Sequence, residues 1–112
     1  MEIAFTDKRL KKLMNDQKLL QKEYGHLGAK IIRRRLDDLR AASTLEDMRL
    51  LPGKYHELKE NRKGQIAVHV EEPKRLIFIP DHEPVPLTSN GAINWKEVRS
   101  IKVLEIVNYH GK

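Results

Sequence analysis

The sequence predicts one α+β domain, with two amino-terminal helices packed on a mainly antiparallel sheet of four to five strands. Three observations predict it. Apolar residues recur at helical spacing through the first part of the chain, then alternate at strand spacing between turn signals. A length of 112 residues suits a single core, because a second domain would be too small to stand alone. Helices first and strands afterwards is the order expected when helices cover one face of a sheet.

Met1 to Phe5 is short enough for an edge strand. Thr6 is placed to cap a helix, with Asp7 in its first turn where negative charge suits the helix dipole. Leu10, Leu13, Met14 and Leu20 share one helical face through Tyr24, and Gly25 and Gly28 interrupt the pattern. Ala29, Ile32, Leu36 and Leu39 define a second amphipathic helix, antiparallel to the first. On its other side Arg33 and Arg34 stand four residues before Asp37 and Asp38, the spacing of helical ion pairs. The Arg33-Arg34-Arg35 run therefore reads as a solvated face. Ser43-Thr44-Leu45-Glu46 has capping-box form and opens a short helical turn that Pro52-Gly53 ends.

The sheet follows. Tyr55 to Lys59 and Gln65 to Val70 alternate as the strands of a β-hairpin, with Asn61 to Gly64 as its turn. This hairpin carries His56 and Lys59 on its first strand and Arg62 and Lys63 at its tip. It sets fixed positive charge beside a group that exchanges protons near neutral pH, a combination suited to a phosphodiester. The competing reading is a soluble hairpin kept wet by charge. Glu71 to Lys74 makes a second turn, and Arg75 to Ile79 is a third strand, too apolar to be exposed on both faces. Pro80, Pro84, Pro86 and Asn90-Gly91 make residues 80–94 an irregular excursion. Asn94 caps a turn of helix at Trp95 to Arg99, with Trp95 as a core anchor. Ile101 to Tyr109 is the last strand, with Val103 and Val107 on one side and Leu104 and Ile106 on the other.

Composition excludes several classes. Cysteine is absent, which removes disulfide scaffolds, thiolate metal sites and cysteine nucleophiles. No apolar run approaches a membrane span, and Lys8, Arg9, Lys11 and Lys12 interrupt any signal-peptide core, so a cytoplasmic protein is expected. His26, His69 and His82 lack ligand spacing and read as structural or surface residues; no metal or cofactor is expected. The net charge of +6 is uneven: residues 1–63 hold 16 Lys/Arg against 10 Asp/Glu, and residues 64–112 hold six of each. A local basic surplus favours phosphate-bearing or acidic partners.

The ordered series Leu36-x-x-Leu39-x-Ala41-Ala42-x-x-Leu45-x-Asp47-Met48, Leu51-Pro52-Gly53, His56-x-Leu58-Lys59, Asn61-Arg62-Lys63-Gly64, Arg75-Leu76-Ile77-Phe78 and Val107-Asn108-Tyr109-His110 resembles the HigB-type plasmid-maintenance killer proteins. These belong to the RelE/ParE toxin superfamily, and the resemblance spans residues 1–110. It implies a RelE-like fold and a toxin that enters the ribosomal A site and cuts messenger RNA, held silent by a helix-turn-helix antitoxin. Two departures stand out. Residues 80–94 form a longer connection than the family's, and Asn108 stands where the family's Asp-Tyr-His ending has a carboxylate, so only hydrogen bonding or positioning is open to it.

Metal-independent RNA cleavage needs a base for the 2′-hydroxyl, cations for the phosphorane and an acid for the leaving oxygen. On the resemblance, His56 and His110 are the proton-transfer candidates, in either order. Arg75 is the phosphate clamp through its bidentate fork, with Lys59, Arg62 and Lys63 on adjacent phosphates. Tyr109 stacks on a base or positions a proton, and Asn108 contacts RNA. Two other functions fit the same superfamily or fold: gyrase inhibition by protein contact, which needs no histidine pair, and RNA or ribosome binding without cleavage.

Overall fold

The computed structural model describes residues 1–108, so Tyr109 and His110 lie outside the described residues. Strand β1 (Glu2–Phe5) leads into helices α1 (Lys8–Met14) and α2 (Gln17–Ala41). Strands β2 (His56–Glu57), β3 (Ile66–His69), β4 (Lys74–Pro80) and β5 (Ser100–Asn108) follow, with 3-10 turns at Leu45–Leu50, Glu60–Arg62 and Trp95–Glu97. The sheet order is β1-β5-β4-β3-β2. It is mixed: β1 runs parallel to β5, and the other neighbours are antiparallel. The parallel edge amends the expectation from sequence. Alternation reports which residues point inward but carries no strand direction, and parallel neighbours need a long crossover, here supplied by nearly the whole chain.

The helical layer is divided differently from the expectation. Asp7, not Thr6, caps α1, its carboxylate accepting from the Leu10 N–H at 2.8 Å. Asn15 then ends α1, and Asp16 caps α2 by accepting from the N–H groups of Lys18 and Leu19 at 3.0 and 3.2 Å. Two adjacent side chains that compete for backbone bonds split a helix that the apolar period reads as continuous. Gly25 is the corner inside α2 that the sequence suggests, with φ 79° and ψ 172°, a conformation open to glycine. Gly28 is helical and does not break it.

Leu20, Ile32, Leu36 and Leu39 of the helical layer are fully buried against Ile66, Val68, Leu76, Phe78, Ile101 and Val103 of the sheet. Burying each such side chain contributes about 1.5–3 kcal/mol. The arginine run has a structural role beyond the expected solvated face. Arg33 pairs with Asp37 at 3.8 Å as anticipated, and its guanidinium also donates to Gln17 Oε1 and to the Met14 carbonyl, tying the end of α1 to α2. Arg35 donates from Nε to the His69 carbonyl at 2.8 Å, fastening helix to sheet.

Strand β5 changes phase midway. Val103 lies opposite Phe78 but Glu105 lies opposite Ile77, so Leu104 is an inserted bulge residue. Ile101 and Val103 face the helices before it, and Ile106 does so after it. Val103 and Val107 therefore lie on opposite faces, contrary to simple alternation. Residues 80–94 are held by a bridge between Leu87 and Ile93, a turn at Asn90-Gly91, and His82 Nε2, which accepts from the N–H groups of Arg99 and Ser100 at 2.9 and 3.3 Å.

Gly53 approaches the core backbone-first, at φ 121°, and a Cβ there would sit 2.5 Å from Val68 Cγ2 and 3.0 Å from Arg35 Nε. Gly53→Ala is expected to lower stability by about 1–3 kcal/mol, combining overpacking with backbone strain. Urea unfolding monitored by circular dichroism measures it; an unchanged midpoint would contradict this packing.

Candidate functional site

Directly opposed residues in a sheet point to the same face. The helices cover the face holding Ile66, Val68, Leu76 and Phe78, so the other face carries the intervening residues. Register sets out two rows there. His56 lies opposite Ala67, Ala67 opposite Ile77, and Ile77 opposite Glu105; one step along, His69 lies opposite Arg75 and Arg75 opposite Val107. His56 and Arg75, distant in sequence, thus share a face with His69 between them.

Hydrogen bonds define these groups further. His56 is exposed, and its Nδ1 lies 2.7 Å from the Lys54 carbonyl. A carbonyl only accepts, so Nδ1 carries the proton and Nε2 of the neutral ring keeps a lone pair. His69 Nδ1 lies 2.8 Å from Glu72 Oε2, which fixes the same tautomer by a carboxylate. The other oxygen, Glu72 Oε1, accepts from Arg75 Nη1 at 3.0 Å. The two imidazoles meet edge to face, their centroids 6.1 Å apart. His56, His69, Glu72 and Arg75 form a continuous polar chain across β2, β3 and the β3–β4 turn. Hydrogen bonds from His69 and then Arg75 hold the Glu72 carboxyl below its ordinary value of 4.5.

The hairpin tip differs from its expected role. The Arg62 guanidinium donates to Gln65 Oε1 at 2.8 Å and to Glu105 Oε2 at 3.1 Å, crossing over β4 to reach β5. It is engaged by a carboxylate. Lys59 and Lys63 flank that turn and are exposed. Asn108 lies opposite Lys74, one position out of phase with Arg75, so it belongs to the helix-side face and stands apart from the imidazoles. Tyr109 and His110, as expectations from sequence, fall outside the described residues.

Sequence reading missed His69, Glu72 and Glu105. For His69 the signal was available: the turn over Glu71 to Lys74, closed by Val70 N–H to the Lys74 carbonyl at 3.2 Å, forces His69 opposite Arg75. Glu105 was hidden by the bulge, which no local pattern encodes.

Strand β2 has two residues and needs outside support. Tyr55 is buried edge-on against Phe78, with burial pushing its hydroxyl well above the usual phenol range. Glu57, next to His56, accepts from Trp95 Nε1 at 3.0 Å and from the Ile93 N–H at 3.3 Å. Trp95 is buried as expected, beneath the Arg49 guanidinium at 4.0 Å. The long 80–94 connection thereby holds the strand that presents His56.

The fold and this face define a small α+β protein that holds paired imidazoles, a bridging carboxylate and guanidinium groups on the sheet face opposite the helices, around Ala67 and Ile77, which are buried beneath them. No family model matches the chain, and no curated protein matches it. Among solved structures it is similar to a YoeB/ParE toxin from Agrobacterium tumefaciens, with a TM-score of 0.52 and 12% identity over 98% of this chain and 100% of that one. At that identity the likeness establishes a shared fold. No helix among the described residues is long and apolar enough to cross a membrane.

Glu57→Leu removes the acceptor while leaving the Trp95 indole in place, and is expected to cost about 1.5–3 kcal/mol, the range for hydrogen bonds to charged groups. Equal stability in thermal melts would dismiss the latch. Glu72 supplies the pH test. Its folded value is depressed, so its stabilising contribution is complete above the ordinary value of 4.5 and is lost as pH falls through the lower folded value. The stability difference between wild type and Glu72→Gln, followed by denaturant titration down the acid range, is expected to shrink toward zero there.

Proposed function

We propose that this protein is the toxin of a toxin–antitoxin pair and a metal-independent endoribonuclease that cuts messenger RNA in the ribosomal A site. The observation that carries the reading is the chain of His56, His69, Glu72 and Arg75 on one sheet face. His56 Nε2 takes the proton of a 2′-hydroxyl, the 2′-oxygen attacks phosphorus, and the 5′-oxygen departs. The products are a 2′,3′-cyclic phosphate and a 5′-hydroxyl. His69, whose charge in the protonated form Glu72 balances, gives the leaving oxygen its proton. Arg75 places positive charge against the phosphorane, with Lys59, Lys63 and Arg62 beside the neighbouring phosphates.

Glu72 also answers the departure at Asn108, because it puts a carboxylate on the face that Asn108 leaves. Tyr109 and His110 remain candidates from sequence, as base-stacking and proton-transfer groups. The fold shared with a YoeB/ParE toxin supports the toxin reading, and the HigB-type resemblance adds to it a neutralising partner of helix-turn-helix type and a cytoplasmic site of action. The exposed His56 and the half-buried His69 and Arg75 along the rim of this face suit one RNA strand, which is read by stacking and hydrogen bonding to exposed bases.

Cleavage of a message on programmed ribosomes tests the proposal. His56→Gln, His69→Gln and Arg75→Ala are each expected to reduce cleavage by about 10²-fold or more, the usual worth of a proton-transfer group, with folding intact by circular dichroism. Growth arrest with intact messenger RNA and inhibited supercoiling would point to gyrase and defeat the nuclease. Ribosome binding without any cut would leave a binding module.

A further inference from the structure

The Arg62 guanidinium is held through one of its three nitrogens. Nη1 donates to Gln65 Oε1 at 2.8 Å and to Glu105 Oε2 at 3.1 Å. A guanidinium carries five N–H groups in a fixed fork, and Nη1 owns two of them, so both of its hydrogens are taken. Nε–H and the pair on Nη2 meet no acceptor among the described residues. These donors are not shut away. Arg62 is half-buried, and the Tyr55 hydroxyl is the buried side-chain polar atom without a partner among the described residues, so Arg62 Nε and Nη2 reach solvent. Together they form the edge of the fork on which two N–H groups run parallel.

The anchoring of Nη1 draws on three separate parts of the chain. Gln65 is tied to Arg62 twice, by its side chain and by its own N–H, which donates to the Arg62 carbonyl at 3.0 Å and closes the turn. Glu105 comes to this face because Leu104 is a bulge residue that reverses the alternation of β5. The Arg62 side chain crosses β4 to meet it, in the row that holds the fully buried Ile77. Lys59 and Lys63, on either side of the turn, are exposed and supply charge without direction.

We infer that Gln65 and Glu105 are positioning residues: by occupying Nη1 they leave the Nε–Nη2 edge of Arg62 as a preformed fork for one phosphate of a single RNA strand. The inference rests on the proposed function in taking RNA as the molecule on this face. A bidentate pair adds direction to charge, and a guanidinium already anchored loses little further side-chain freedom when phosphate arrives. Strands β2 and β5 stand three spacings apart, about 14 Å. The phosphate on Arg62 therefore flanks the one that His56 addresses.

The test uses the full chain and a short 2′-O-methylated single-stranded RNA, which lacks the attacking hydroxyl and stays intact, with affinity read by fluorescence anisotropy. Glu105→Ala is expected to weaken binding about tenfold, the worth of one charge-assisted hydrogen bond. Glu105→Gln, which keeps an oxygen to accept from Nη1, is expected to bind at least as tightly as wild type. Arg62→Lys keeps the charge and loses the fork, and is expected to weaken binding about tenfold as well. In the Arg62→Lys background Glu105→Ala is expected to add nothing, because a positioning role acts only through the group it positions. Should Glu105→Ala fold poorly, Gln65→Ala is expected to weaken binding in the same direction. Tighter binding by Glu105→Ala overturns the inference, since the carboxylate would then be a competitor for the phosphate. So does a Glu105→Ala variant that melts lower but binds as wild type, which would make the pair a structural clasp, and so does wild-type affinity in Arg62→Lys or no binding by wild type. If messages on programmed ribosomes stay uncut while these affinities change as expected, the nuclease reading fails and the fork stands. If wild type cuts and Glu105→Ala cuts with equal kcat/KM, the fork fails and the nuclease stands.

Discussion

The pairing of β4 with β5 is the constraint on which the rest of the molecule depends. Strand β4 is buried through Leu76 and Phe78 on the helix side and through Ile77 on the other. Its neighbours on both sides are set by the same ladder, which brings Arg75 between His69 and Val107. A slip of one residue would send Arg75 into the helical core and Leu76 into the polar row, exchanging a charged group for an apolar one on each side. The apolar content of the helix-facing side therefore enforces the geometry of the polar side. The bulge at Leu104 adds to this by turning Glu105 toward Arg62 while keeping Ile106 against the helices.

Charge is distributed in two ways across that sheet. On the polar face, cations and carboxylates interlock: Arg62 with Glu105, Arg75 and His69 through Glu72. Such pairs orient side chains, and because their carboxylates are exposed to solvent they contribute little to stability. On the helical layer the lysines stand without such partners among the described residues. The connection over residues 80–94 enters this arrangement through Trp95 and Glu57, by holding a two-residue strand in place.

Several features were legible because they depend on near neighbours. The hairpin between His56 and Val70, the apolar strand after Arg75, the corner at Gly25, the buried Trp95 and the Arg33–Asp37 pair each follow from spacing within a few residues. Misreadings arose where two local signals compete. At Asn15-Asp16 the cap preference overrides an apolar period that continues because both helical segments face one core. At Leu104 an extra residue reverses the alternation without any compositional mark. His69 looked isolated because its partners, Glu72 and Arg75, meet it only once the turn is closed.

What the amino-acid sequence determined by itself was the set of elements, the apolar faces they must bury, the absence of cysteine chemistry and the concentration of positive charge in the first part of the chain. These follow from side-chain periodicity and composition, which are local or additive quantities. Only the tertiary structure decided strand order, the parallel placement of β1 beside β5, the partnership of His56 with His69, and which cations are held by carboxylates. Those outcomes depend on contacts between residues far apart in the chain, whose energies are settled by the packing of the whole core and not by any stretch taken alone.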